Sequence, residues 1–307
     1  MHSWNKSLDA AGIREPGLRR DYGVQRQSVS RSRRTSYLAT RVLLPPGTLP
    51  HVMAATAFMD HGDNLLDTGP KPRRAAAWAS WERRVREALD TGVSDDPLIR
   101  TLLHTIAAHP RLRDVVEAYL STATAELEFA GFTTEADYQA YLDAYSLPAF
   151  LLVATLVGPE GEDGPFRAAC RTFIDGSQRL DFVNDIAEDL REGRLGIPAE
   201  TLKRFSVTPD DLTSGQEPPG LRELVAQEVG AARADLERAR ELPALVPAPH
   251  RPLLGALVEM ELLTADAVLA RGPGLLRGSA SPPPTGALRV LLTARRPPHL
   301  RISPPSS

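Results

Sequence analysis

The sequence predicts an all-α protein, and three observations support this fold class. Nearly every segment carries apolar residues at the spacing of one helix face. No run of alternating β-branched residues, the pattern typical of strands, occurs. The breaks between periodic segments are rich in Pro and Gly, as at 244–252 and 278–286. We therefore expect one helical domain over residues 1–280, followed by a Pro-rich, partly disordered tail over residues 281–307.

The helices follow one another in chain order, each with its own local signal. In the first, Val52, Ala55 and Phe58 are spaced for a buried face, and Gly92 is a C-cap signal for the second. Pro148 predicts a kink or break in an otherwise apolar helix. The predicted helices span 50–67, 75–92, 99–109, 113–131, 137–158, 165–192, a short helix at 197–205, 220–243 and 251–272.

Composition narrows the classes of partner and compartment. The 307 residues carry a formal charge of -3, which argues against nucleic acid as the main partner. The arginine-rich stretch RSRRTS (31–36) is interpreted as a solvated segment. The single cysteine, Cys170, excludes an intramolecular disulfide and suits a reducing compartment. The start lacks the apolar region of a signal peptide, and no apolar run reaches the ~18 residues of a membrane span, so we expect a cytoplasmic protein.

The stretch DFVNDIAED (181–189) places Asp181, Asp185 and Asp189 four residues apart. On an α-helix these side chains share one face, ~6 Å apart along the axis. Like charges at this spacing repel, so either water solvates the stripe or a cation binds there.

A second acidic stretch, DHGDNLLD (60–67), places Asp63 and Asp67 four residues apart, with Asp60 one turn earlier. Two acidic helices that face each other across an apolar cavity form a site for a diphosphate and Mg²⁺, which prefers carboxylate, phosphate and water oxygens. Such a site can ionise an allylic diphosphate while dry walls protect the carbocation. The spacing alone leaves open that both stretches are solvated helix faces.

The residues around these motifs resemble the squalene/phytoene synthase family. The resemblance is carried by SYLATRVLLP (36–45), AFMDHGDNLLD (57–67) and DGSQRLDFVNDIAEDLREGRLGIPAETLKRFSV (175–207). The family's two acidic helices have the forms AFxRxxDDxxD and QLxNxLRDxxEDxxxGRxYLP, in the same order. The resemblance implies an all-α isoprenoid-synthase fold with a central cavity and Mg²⁺-dependent use of prenyl diphosphates.

The resemblance also implies roles for individual residues. The positions that match the family's metal and diphosphate ligands are Asp63, Asp67, Asp185 and Asp189. The positions that match or replace its substrate-binding residues are Tyr37, Tyr141, Gln178, Asn184 and Arg277.

Several departures from the family pattern change the charge of the expected cavity. Asp60 stands where the family has Arg, Asn184 stands where it has a second Arg, and Asp181 replaces Asn. Arginine is the favoured bidentate partner of phosphate oxygens. A cavity with these changes is poorly suited to hold two diphosphates, so we expect one diphosphate and an uncharged second substrate.

The sequence therefore favours a prenyltransferase that moves a short allylic group from its diphosphate, dimethylallyl diphosphate being the expected donor, to an aromatic acceptor such as a carbazole. This resembles squalene-synthase-like enzymes of bacterial secondary metabolism and antibiotic biosynthesis. Asp60 and Asp181 are the candidate catalytic bases. Three alternatives stay open: head-to-head condensation of two prenyl diphosphates, cyclisation of one long prenyl diphosphate, and an inactive helical protein that binds lipid or a partner.

Overall fold

The computed structural model describes residues 3–161, 163–215 and 217–295, and every regular element in these ranges is a helix, which confirms the all-α prediction. A π-helical segment spans Leu142–Ser146, and two 3₁₀-helices span Ala239–Leu245 and Gly272–Arg277. The α-helices are α1 (Trp4–Ala10), α2 (Pro16–Ser32), α3 (Arg34–Leu43), α4 (Leu49–Asp67), α5 (Lys71–Thr91), α6 (Pro97–Ala108), α7 (Leu112–Thr122), α8 (Ala125–Glu128), α9 (Glu135–Tyr141), α10 (Leu147–Ala154), α11 (Gly164–Asn184), α12 (Ile186–Arg191), α13 (Ala199–Arg204), α14 (Pro209–Thr213), α15 (Leu221–Arg238), α16 (Arg251–Arg271) and α17 (Pro284–Ala294).

Two long helices, α4 and α11, organise the core. α4 packs against α2, α5, α6 and α10, whereas α11 packs against α15, α10 and α16. The face of α4 that contains Val52 and Phe58 is buried, as its spacing predicts. Gly176 lets α11 approach α15 closely, because a Cβ there would lie 2.7 Å from the carbonyl oxygen of Ala232. Since α10 contacts both long helices, they are held on either side of a cavity.

Three predicted helices are interrupted in the structure, and a fourth, 220–243, changes from α-helix to 3₁₀-helix after Arg238. The segment 113–131 ends at Thr122 and resumes only as the short α8. The segment 137–158 contains the π-helical turn, after which α10 begins with Pro148 in its first turn, where a missing N–H costs nothing. The segment 165–192 breaks at Asp185, whose ψ of 15° departs from the α-helical value. Asp189 therefore lies on a different helix from Asp181.

The segment 281–307 contains a helix that its composition does not predict. Residues 284–294 form α17, which packs against α16 and α3, so this part of the expected tail is ordered. The helix forms because the apolar side chains of GALRVLLTA pack against α16 and α3. Its contacts form a small cluster of Leu43, Ala256 and Ala294 with Val42, Leu253, Val290 and Leu291. Residues 296–307 lie outside the described residues.

Within the described ranges, none of the helices has the length and continuous hydrophobicity that crossing a lipid bilayer requires.

Candidate active site

A cavity of about 510 Å³ lies between α4 and α11–α12, with the π-helical segment and α10 along one side. Its wall is strongly acidic, and the guanidinium groups of Arg33 and Arg194 also line it. Its apolar part includes Met59, Ala149 and Phe150. The carboxylates of the lining are Asp63, Asp67, Glu126, Asp181, Asp185, Glu188, Asp189 and Glu192. Such an excess of negative charge along one cavity wall favours the binding of cations.

The first acidic stretch contributes Asp63 and Asp67 from the last turns of α4. The Tyr145 hydroxyl donates a hydrogen bond to Asp63 Oδ1 at 2.7 Å. Burial raises the pKa of Asp63 to about 6, although this hydrogen bond and the charge of Arg33 oppose the increase. Gly62 allows α4 to pack closely against Tyr119, because a Cβ at this position would lie 2.3 Å from the Tyr119 hydroxyl oxygen.

The second acidic stretch contributes three carboxylates around the break between α11 and α12. Asp181 is accessible from the cavity but enclosed by its walls, and this burial, with the nearby charge of Asp185, raises its pKa to about 6. Burial also raises the pKa of Asp185 and raises that of Asp189 to about 7. Asp189 Oδ2 is buried without a hydrogen-bond partner among the described residues. A buried oxygen of this kind is costly unless a cation binds it.

These residues are suited to bind magnesium jointly with a diphosphate, and not to hold a metal ion by themselves. Among the described residues, no three His, Cys, Asp or Glu side chains stand close enough to hold one metal ion by themselves. Mg²⁺ does not need such a cage, because it retains waters and binds through one or two carboxylates plus substrate phosphates. Asp63 and Asp67 on one wall, with Asp185 and Asp189 on the other, supply only hard oxygen donors. The observation that fits a cation here is Asp189 Oδ2, which is buried and has no hydrogen-bond partner among the described residues.

Hydrogen-bonded polar side chains also line the cavity. Gln178 accepts a hydrogen bond from Ser146 at 3.0 Å and donates one to Asp181 Oδ2 at 3.4 Å. The Tyr141 hydroxyl donates to Glu126, which also accepts a hydrogen bond from Arg194 at 3.0 Å. Burial raises the pKa of Glu126. The structure thus brings Tyr141, Gln178 and Asp181 to the cavity, together with the four expected metal ligands.

Asp60, a candidate base, lies outside the cavity lining. Its side chain is buried and binds Arg33, with 2.5 Å between Arg33 Nε and Asp60 Oδ1, and it accepts a hydrogen bond from Ser32 at 3.0 Å. Both carboxylate oxygens therefore have partners. Arg33 also approaches Asp63, at 3.7 Å. In this geometry Asp60 holds Arg33 at the cavity wall and does not face the reacting space, whereas Asp181 does.

Three of the expected substrate-binding residues also lie outside the lining. The Asn184 side chain donates to the Ala280 carbonyl at 3.1 Å and accepts from its N–H at 2.7 Å, so it fixes the backbone after the last 3₁₀-helix. Arg277 is exposed and lies 3.4 Å from Glu217. Tyr37 is half-buried and packs against the main core. These contacts are structural, and none of them points to a substrate.

Sequence reasoning missed several charged or polar cavity residues, among them Arg33, Tyr145, Glu188, Glu192 and Arg194. Arg33 belongs to the arginine-rich stretch interpreted as solvated, and the interpretation is wrong for this residue. Tyr145 follows Tyr141 by four residues, a spacing that gives a signal for a shared face. Arg33 and Arg194 return two guanidinium groups to the cavity, which weakens the inference that the cavity lost its phosphate-binding arginines.

Comparison with known proteins identifies the family. The sequence profile described as squalene/phytoene synthase matches residues 29–288. The chain belongs to the squalene/phytoene synthase family. Members of this family are prenyltransferases that act on prenyl diphosphates and generally depend on a divalent metal ion, so the transferase class predicted from the motifs is supported.

Similar proteins include a bifunctional protein CrtB/UppS from Streptomyces coelicolor, 28% identical over 259 residues, and a 15-cis-phytoene synthase from Synechococcus elongatus, 26% identical over 235 residues. The first alignment covers 82% of this chain and 45% of the relative, and the second covers 71% and 74%. The chain therefore spans about half the length of the first relative.

Solved structures share the fold. The squalene synthase HpnC from Alicyclobacillus acidocaldarius has a TM-score of 0.74 at 24% identity and matches 88% of this chain and 99% of its own. A dehydrosqualene synthase has a TM-score of 0.79 at 18% identity, with coverages of 91% and 96%. These likenesses confirm the isoprenoid-synthase-type helical fold.

Proposed function

We propose that this protein joins two allylic prenyl diphosphates head to head, as a synthase of the phytoene or squalene type. The observation that carries the proposal is the composition of one cavity, in which paired carboxylates on α4 and on α11–α12 face each other beside Arg33 and Arg194. Relatives named as 15-cis-phytoene synthases support the same reaction class. This was the alternative left open by the sequence, and it replaces aromatic prenylation as the first choice.

The division of labour among the residues follows from their chemistry. Magnesium, when bound, neutralises the diphosphate that departs from one donor. Asp63 and Asp67 on one wall, and Asp185 and Asp189 on the other, would hold it. Arg33 and Arg194 lie where they can bind phosphate oxygens that the metal does not reach. Met59, Ala149 and Phe150 form the apolar part of the wall beside the reacting carbons, where the C1–O bond of one donor breaks, its diphosphate leaves, and the double bond of the other donor forms the new C–C bond with loss of a proton.

Transfer of a dimethylallyl group to an aromatic acceptor such as a carbazole is the second candidate. One observation favours it: Asp181 faces the cavity with a pKa of about 6, which suits a base that takes the proton released when the ring regains aromaticity. The cavity volume, which lies within the ~300–1,000 Å³ range of pockets for one small ligand, agrees with compact substrates.

Product analysis separates the two candidates. The protein is incubated with Mg²⁺ and either geranylgeranyl or farnesyl diphosphate alone, or dimethylallyl diphosphate with a hydroxylated carbazole, and products are identified by mass spectrometry. We expect a head-to-head condensation product from the first mixture: a phytoene-type polyene, which forms by loss of a proton without a reductant, or the condensed monodiphosphate where the last step needs hydride. A C-prenylated carbazole without condensation of the longer donors would establish the second candidate instead.

A matched pair of variants tests the site in either case. Asp189→Asn removes a cavity carboxylate, and we expect at least a hundredfold loss of turnover, within the ~10²–10³ range typical for loss of one stabilising group. Asp143→Asn changes an exposed carboxylate of the π-helical segment that does not line the cavity, and we expect turnover near wild type. Equal turnover of the two variants would reject the assigned site.

A further inference from the structure

The outer faces of α3 and α17 combine exposed leucines with arginines. Leu38 on α3 is 51% exposed, and Leu288 and Leu292 on α17 are 57% and 55% exposed. Each is accompanied by arginines on its own helix. The surface, which we call the α3/α17 face, consists of Arg34, Leu38, Arg41, Leu288, Arg289, Leu292 and Arg295.

Helical spacing gathers these side chains on two adjoining stripes. Residues 34, 38 and 41 share one face of α3, and residues 288, 292 and 295 share one face of α17. The two helices contact each other, while the opposite side of α17 is buried against α16. The inner side of α17 is therefore packed inside the molecule, whereas Leu288 and Leu292 on its outer side are more than half exposed.

The charge of this face has one sign. The sequence contains no acidic residue between Asp21 and Asp60 and none after Asp266. Among the described residues, ion pairs involve many arginines elsewhere but not the four of the α3/α17 face. Uncompensated guanidinium groups beside exposed leucines are complementary to a surface that is anionic and apolar beneath.

We propose that the α3/α17 face binds the surface of a lipid bilayer that carries anionic headgroups. The leucines enter the boundary between headgroups and acyl chains, and the arginines extend their guanidinium groups to the phosphates. Leucines interspersed with arginines suit a bilayer surface, because its headgroups and acyl chains accommodate both kinds of side chain. The binding does not depend on which acceptor the cavity uses.

The position of this face connects it to the cavity. Arg33, which lines the cavity, is the residue immediately before α3. The bilayer surface would therefore lie close to the cavity wall at Arg33. Prenyl chains partition into bilayers, so docking through this face places the cavity next to the phase that holds such molecules.

Sedimentation with vesicles tests the proposal on the full chain. We expect the protein to pellet with vesicles of phosphatidylcholine mixed with phosphatidylglycerol, not with phosphatidylcholine alone, and less at high salt because exposed charges are screened. Since each arginine near an anionic surface contributes about a fivefold factor, Arg289→Gln with Arg295→Gln lowers the partition coefficient about 30-fold. Leu288→Ser with Leu292→Ser lowers it about tenfold or more.

Matched controls lie on another part of the surface. Val93 is 73% exposed and Arg83 is an exposed helix residue, so Val93→Ser and Arg83→Gln change the same chemistry away from the α3/α17 face, and we expect wild-type partition. All variants are compared for helicity and thermal unfolding. The proposal is overturned if neutral and anionic vesicles bind equally, if neither binds, or if the α17 variants retain full binding. A change of oligomeric state in these variants without a change in vesicle binding would assign the face to a protein interface instead.

Discussion

Removal of one hydroxyl, in Tyr145→Phe, should weaken metal-dependent diphosphate binding at neutral pH. Tyr145 donates a hydrogen bond of 2.7 Å to Asp63. Burial already raises the pKa of Asp63 to about 6. A hydrogen bond to a charged acceptor contributes about 1.5–3 kcal/mol. Its loss increases the proton affinity of Asp63 about 10- to 150-fold. Asp63 is mostly ionised at pH 7 in the wild type and would be half or more protonated in the variant.

A protonated carboxyl group is a poor magnesium ligand, so binding becomes more pH-dependent. The assay is calorimetric titration of Mg²⁺ with farnesyl thiodiphosphate, an unreactive diphosphate, from about pH 6 to about pH 9. We expect the variant to bind more weakly near pH 7 and to recover toward the alkaline end. The acidic limb of any rate profile should move in the same direction, to higher pH.

Tyr119→Phe is the matched control, because Tyr119 packs near Tyr145 with a ring-centroid distance of 6.4 Å. Its hydroxyl is buried and has no hydrogen-bond partner in the described part of the chain. Removing it costs no hydrogen bond, so its binding profile should match wild type, with unfolding free energy equal or higher by about 1 kcal/mol. Superimposable profiles for Tyr145→Phe and the wild type would refute the role assigned to the Tyr145 hydroxyl.

Three further predictions concern stability and are checked by urea unfolding. Burial lowers the pKa of His51 to about 3, so below about pH 6.5 the unfolded chain binds a proton at His51 that the folded protein does not, and the free energy of unfolding falls. His51→Gln should remove about 2 kcal/mol of this loss of stability at pH 5. An unchanged slope of unfolding free energy against pH in the variant would contradict this. Gly62→Ala should cost about 1–3 kcal/mol through its clash with the Tyr119 hydroxyl, and adding Tyr119→Phe should restore most of it; lack of rescue would place the strain elsewhere. Arg179→Leu should lower the free energy of unfolding by about 3–5 kcal/mol, because it leaves the carboxylate of Glu228, which is 4% exposed and 3.0 Å from Arg179, without its partner. Adding Glu228→Gln should recover part of this loss, and a loss under about 1 kcal/mol would show that the pair contributes little.

The fold and the acidic walls follow from local sequence signals. Helical periodicity and Gly92, which adopts a left-handed conformation with φ of 73°, are set by residues near in the chain. Asp63, Asp67 and Asp189 line the cavity because their motifs lie on helix faces beside apolar residues. Their roles in binding metal stay predictions, although their surroundings agree with them.

Other features depend on contacts between distant segments, which local patterns do not reveal. Asn184 resembles a site residue in the motif, but its amide binds the backbone of Ala280 far along the chain. Arg33 resembles a solvated arginine until α2 and α4 bring it to Asp60. The inference that the cavity had lost two arginines compared only the positions where the family pattern has arginine. It therefore missed Arg33, which lies between α2 and α3, and Arg194, which lies elsewhere in the second motif.

The π-helical turn at Leu142–Ser146 has a consequence for how this scaffold can change. A turn with i→i+5 bonding holds one more residue than an α-helical turn. Tyr141 immediately precedes this turn and Tyr145 lies within it, and both side chains line the cavity. Loss of a single codon in this stretch would tighten the turn and swing one phenol away from its carboxylate, while α9 and α10 stay in place. A new specificity can therefore arise here by deletion, without any change to the acidic residues themselves.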